Sequence, residues 1–99
     1  MVCKLTNKEV LEKLNKWKLT KDNRNAIYRE LKFTDFKAAF SFMTSIALKA
    51  EEIAHHPEWH NVYNKINIVL TTHDVGGLSE KDIILANFLD KEFEKVTNG

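Results

Sequence analysis

Between Glu51 and Asp82 the sequence sets out His55-His56-Pro57, Trp59, Tyr63 and His73 at separations that a fold can close. Histidine titrates nearest neutral pH, so several imidazoles around one cleft point to proton transfer before other chemistry. His55 falls at the end of a helical pattern. At roughly 100° per residue, Glu51 and His55 stand about 40° apart, and about 80° and 120° from Met43 at the centre of the apolar stripe. Such positions edge an apolar face and suit a cleft beside a core. Four residues apart, the two side chains can also meet. The carbonyl end of the helix and the Glu51 carboxylate both favour a protonated His55, which is what a general acid requires.

Each of these residues has a plainer role open to it. His55 suits a helix end on dipole grounds alone. Pro57 stops a helix, because the residue before a proline is pushed out of the helical region. Trp59 and Tyr63 fit a core or an interface as well as a ligand platform. Asp82 is the fourth residue of Ser79-x-x-Asp82, a capping-box pattern. Glu51 fits a solvated helix face, and His73 fits an exposed strand end. A site is absent only if all of these readings hold together. Zinc on His55, His56, His60 and His73 is the rival chemistry. Adjacent histidines rarely share one ion, and the chain has no Cys-x2-Cys and no His-Glu-x-x-His, so no metal is expected. Cys3 is the single cysteine, which excludes an internal disulfide.

The elements that must position these groups follow from pattern. Thr6-x-x-Glu9 is a capping box, with Leu5 and Val10 placed for a hydrophobic staple, and it opens a helix over about residues 7–16. Residues 17–20 and 26–33 alternate in polarity around a polar loop, which predicts a hairpin. Thr34 or Asp35 caps the longest helix, about residues 35–55. Its stripe is Phe36, Ala39, Phe40, Met43, Ile46, Ala47, Ala50, Ile53 and Ala54. Phe42 lies off that stripe, which leaves it to a second subunit or to solvent. Residues 62–73 read as one strand or two, with Val62, Ile66, Ile68 and Leu70 on the apolar side. A final helix runs from the Ser79 cap to about residue 96. The expected fold is therefore α+β, in the order α-β-β-α-β-β-α. It is a four-stranded antiparallel sheet with three helices packed on one face.

The totals narrow the classes. Ninety-nine residues make one small domain, 1–99. Fifteen basic and 14 acidic residues leave a net charge of +1, which argues against direct nucleic-acid binding. No apolar run approaches the roughly 20 residues that span a bilayer, and the first residues carry no apolar signal core. The expected location is the cytoplasm.

The pattern Glu51-x3-His55-His56-Pro57-x5-Tyr63-x9-His73-x8-Asp82 resembles the signature of the pterin-4a-carbinolamine dehydratases. Neighbouring words agree: Pro57-Glu58-Trp59, Asn61-Val62-Tyr63-Asn64-Lys65, Thr72-His73-Asp74, Gly77-Leu78-Ser79-Glu80 and Asp82-Ile83. Ala54 departs from it, since relatives often carry Asp there, and His60 is no part of it. The resemblance implies a dehydratase that acts on the 4a-hydroxytetrahydropterin left by aromatic amino acid hydroxylases, in tetrahydrobiopterin recycling. It implies His55 and His73 as the acid–base pair, His56 as the residue that orients the ring, and Glu51 as the tuner of His55. Pro57 and Trp59 would shape the pocket and Asp82 would orient a histidine. No cofactor is implied. A dimer or tetramer is implied, which suits a domain this small. Animal relatives also serve as dimerisation cofactors of a homeodomain transcription factor, so a partner's dimerisation helix and a nuclear location enter as the alternative. A pterin-binding relative in molybdopterin metabolism is the third reading.

Overall fold

The computed structural model describes residues 3–98. The elements are β1 (Lys4–Leu5), α1 (Asn7–Lys13), β2 (Lys18–Leu19), β3 (Ile27–Lys32), α2 (Phe36–Glu52), β4 (Glu58–Val62), β5 (Lys65–Leu70), a 3-10 turn (His73–Val75), β6 (Leu78–Ser79) and α3 (Glu80–Asn98). Strands β2, β3, β5 and β4 form an antiparallel sheet in that order. This is the expected α+β fold, with one addition. The two-residue strands β1 and β6 pair in a second small sheet, too short to show any alternation in sequence.

Alternation along the sheet decides where the core sits. Ile27 and Leu31 of β3 and Ile66, Ile68 and Leu70 of β5 are buried, and they form one apolar cluster with side chains of all three helices. The opposite face carries Glu30, Lys32, Lys65, Asn67 and His60 and is open. Helix α1 closes earlier than expected. Leu14 leaves the helical region after its N–H bonds to Val10, and it joins Trp17 in the core. The Trp17 indole N–H donates to Asp90 of α3, which ties this turn to the last helix.

Two expectations fail. Phe42 faces neither a subunit nor solvent: it is 1% exposed, with its ring centroid 5.0 Å from that of Phe33 and 6.4 Å from that of Phe93. The buried face of α2 is Ala39, Phe42, Ile46 and Ala50. Phe36 and Phe40 lie outside it, 5.6 Å from one another. Val62 is the second. Tyr63 and Asn64 make a two-residue hairpin, so Val62 pairs with Lys65 and falls on the open face. Counting through that turn shifts the parity by one residue. Tyr63 takes a φ of 52° there, and the Asn61 side chain donates to the carbonyls of Tyr63 and Lys65.

Candidate active site

The end of α2 aims the first two histidines. Ile53 caps the helix and Ala54 takes the left-handed φ of 53°. The Ala54 N–H donates to the Glu51 carbonyl at 3.2 Å, and the His55 N–H donates to that of Ala50 at 3.0 Å. This pair of bonds is the Schellman closure, usually built on glycine. His55 therefore lies two residues past the helix cap, not in the last turn as expected. The reversal parts it from Glu51 as well. Glu51 pairs instead with His56, Oε1 to Nε2 at 2.7 Å, in an exposed contact. The expected tuning of His55 by Glu51 is thus replaced by a Glu51–His56 pair.

His55 is buried and meets a different carboxylate. Its Nε2 lies 2.7 Å from Asp82 Oδ1. Asp82 is fully buried in the first turn of α3. Its Oδ2 accepts from the Thr72 hydroxyl at 2.7 Å and from the Ser79 N–H at 3.0 Å. The two readings of Asp82 therefore hold together: it closes the start of α3 and it orients a histidine. A carboxylate only accepts, so Nε2 of His55 carries a hydrogen and Nδ1 is the nitrogen left available. Thr72 spends its one hydroxyl hydrogen on Asp82. Ser79 must then donate to Thr72 Oγ, 2.6 Å away. No buried polar side-chain atom among the described residues lacks a partner.

His73 arrives from the other side, at the head of the 3-10 turn beyond β5. The turn ends at Gly76, whose φ of 64° suits a residue without Cβ. Here the chain bends back, and Thr72 bridges to Gly77. The His73 side chain is 81% exposed, with Nε2 3.7 Å from Glu58 Oε2.

The three histidines share one open cleft of about 380 Å³, lined also by Pro57, Glu58 and Lys81. Asp82 stands behind His55 and Glu51 behind His56. Trp59 does not line the cleft as expected. It lies on the helix side of β4, half-buried against the core. Tyr63 is at the far tip of the hairpin, 60% exposed, and His60 is on the open face. A wider groove of about 630 Å³, beside Lys16, Lys18 and Tyr28, holds no histidine. Among the described residues no group of three or more His, Cys, Asp and Glu side chains is placed to hold a metal ion.

Sequence reasoning passed over Thr72, Glu58 and Lys81. Thr72 directly precedes a candidate histidine, and Glu58 follows Pro57, but neither type announces chemistry. Only the pairing across the fold gives them a part. An imidazole with a fixed tautomer, a second at the rim and a third in the same cleft suit the transfer of protons to and from a flat polar ring.

A family model described as pterin 4 alpha carbinolamine dehydratase matches residues 3–92. The chain is 51% identical over 94 residues to a Burkholderia pseudomallei (strain 1710b) protein named "Putative pterin-4-alpha-carbinolamine dehydratase", covering 92% of each. It is 54% identical over 93 residues to a protein of the same name from Burkholderia ambifaria, covering 91% of this chain and 90% of that one. The fold is similar to a crystal structure titled transcriptional coactivator/pterin dehydratase from Brucella melitensis. That comparison has a TM-score of 0.85 and 42% identity, over 91% of this chain and 98% of the other.

Proposed function

Because the chain belongs to the pterin-4-alpha-carbinolamine dehydratase family, we propose that it removes water from a 4a-hydroxytetrahydropterin to give a quinonoid dihydropterin, in tetrahydrobiopterin recycling. The observation that carries this reading is the convergence of His55, His56 and His73 on one cleft.

The reaction needs two proton transfers and no redox step. The 4a-hydroxyl is a poor leaving group until protonated. An imidazolium delivers a proton to its oxygen, the C4a–O bond breaks, and water departs. The N5 lone pair forms the C4a=N5 bond, and the N5 proton passes to a base. His55 and His73 supply this acid and base from opposite sides of the cleft. For His55 the exchange runs through Nδ1, because Asp82 occupies Nε2. His56, held by Glu51, binds and orients the ring. Pro57 rigidifies the wall between the histidine pair and β4. Trp59 supports that wall from the core side.

An assay of quinonoid dihydropterin formation, with and without the protein, tests the activity. His55→Ala and His73→Ala are each expected to lower the rate by about 10²–10⁴-fold, the usual worth of one general acid or base. Parent rates in both variants would remove the histidines from the mechanism.

The likeness to the Brucella melitensis transcriptional coactivator/pterin dehydratase favours a second reading, that of a coactivator. Helix α2 leaves Phe36, Phe40 and Leu48 exposed while burying Phe42. An apolar band of this kind suits further copies of the chain, as a dimer or tetramer, or an apolar helix of a transcription factor. Light scattering measures the mass in solution, and pull-down with a dimerisation helix tests the other partner.

A further inference from the structure

Where the His55 ring is buried, the His73 ring is exposed. Its side chain is 81% exposed, and among the described residues its one charged partner is Glu58, with 3.7 Å between Nε2 and Oε2. That distance is attractive but longer than a hydrogen bond. Contacts at a reacting centre commonly tighten when substrate binds. Glu58 is itself tied down. Arg24 donates to both of its oxygens, Nη1 to Oε2 at 3.1 Å and Nη2 to Oε1 at 2.9 Å. Two parallel bonds fix the plane of the carboxylate as well as its place. Arg24 is gripped from behind by Asp22, Nε to Oδ2 at 3.1 Å, and Asp22 accepts from the Thr20 hydroxyl at 2.7 Å. The Glu58 bond, chiefly, raises the Arg24 guanidinium pKa above its ordinary value.

Isolated surface ion pairs contribute little, but a bidentate arginine within a network is the exception. This network runs from the loop between β2 and β3 to the rim of the cleft. None of its members belongs to the apolar core. It ends on an imidazole that has no other ion-pair or hydrogen-bond partner among the described residues.

We propose that Glu58, clamped by Arg24, is a positioning residue for His73. The proposal rests on the dehydratase reading above and adds to it the means by which the exposed histidine is aimed. Once the contact tightens to a hydrogen bond, the carboxylate accepts from Nε2, which then carries the hydrogen and leaves Nδ1 to the reaction.

The test uses Glu58→Ala and Arg24→Met in the whole chain. Each lowers kcat for dehydration about three- to tenfold and leaves KM within about twofold, as expected of a slightly misaimed reacting group. The double variant falls no further than the worse single one, because both residues act through one contact. Without substrate, both variants move the ring-nitrogen NMR signals of His73 and leave those of His55 in place. Parent kcat in both single variants, a rise in KM alone, losses that multiply, or unmoved His73 signals would each overturn the proposal. The spectra are read without substrate. A parent chain that fails to dehydrate the carbinolamine therefore counts against the functional reading, while the spectra still judge the contact.

Discussion

His55 and His73 face the same cleft from unlike surroundings. The floor, around His55, is buried. A fully buried carboxylate meets an imidazole, a hydroxyl and a backbone N–H, each within 3.0 Å. The rim, around His73, is exposed, and its contacts lie at the surface. Burial makes every floor bond obligatory, since an unpaired group there has no water to turn to. Rim bonds can open at little cost to the fold. One histidine is thus placed by the same contacts that hold the domain together. The other is placed by contacts that the domain can spare.

Asp82→Ala is the strongest test of that division. It strips His55, Thr72 and Ser79 of a shared acceptor and unseats the start of α3. Losing a buried, fully bonded carboxylate is expected to cost about 3 kcal/mol. A matched rim variant, Glu58→Ala, stays within about 1 kcal/mol of the parent. Urea unfolding reads both, as a shift in midpoint at constant slope. Equal midpoints for the two variants would abolish the distinction between floor and rim.

Ala54→Gly probes the floor more gently, with the opposite sign. Ala54 holds a φ of 53°, where its Cβ crowds the next carbonyl. Glycine adopts that conformation freely, so the variant gains about 0.5–1 kcal/mol in spite of its looser unfolded chain. Thermal melting measures it. A lower melting temperature would mean that the methyl group is packed, and that the turn behind His55 is held by more than its two backbone bonds.

What could be read from the chain beforehand was local. The Thr6–Glu9 capping box is present in full, and Asp35 caps α2 by accepting from Ala38. Each needs only residues three apart. The Asp82 carboxylate reaches back to the Ser79 N–H in the same way. The buried face of α2 could not be read, because apolar residues cover most of its circumference. Phe42 goes inward, where Phe33 from just before the helix and Phe93 from the distant α3 meet its ring. The partners of the histidines failed for a backbone reason. No sequence signal marks an alanine with positive φ, and that one residue sends Glu51 to His56 and His55 to Asp82. The rim was invisible because Arg24 and Glu58 lie 34 residues apart and meet only through the sheet. The succession of elements along the chain needed no such detail, since periodicity and caps mark it, although β4 begins at Glu58, ahead of the strand expected over residues 62–73.

Acid offers the smallest and most local way to separate rim from floor. Hydrogen bonds from the Thr20 hydroxyl, chiefly, and from the Arg24 N–H hold the Asp22 carboxyl below its ordinary 3.8. A carboxyl depressed on folding contributes stability that is present above its unfolded pKa. That contribution fades as pH falls through the lower, folded value. Asp22 is exposed, so the effect on global unfolding is slight and the local signal is the one to follow. The Arg24 amide, which donates to Asp22 at 3.3 Å, is expected to titrate with a midpoint below 3.8. In Asp22→Asn that midpoint disappears. Opening this link frees Arg24 and then Glu58, so the His73 ring signals should follow the Arg24 amide while those of His55 do not. An Arg24 midpoint at or above 3.8 would show that the Thr20 hydroxyl and the Arg24 N–H do not hold Asp22 in solution. The rim would then rest on the Arg24–Glu58 pair alone, with no link back through Asp22 to Thr20.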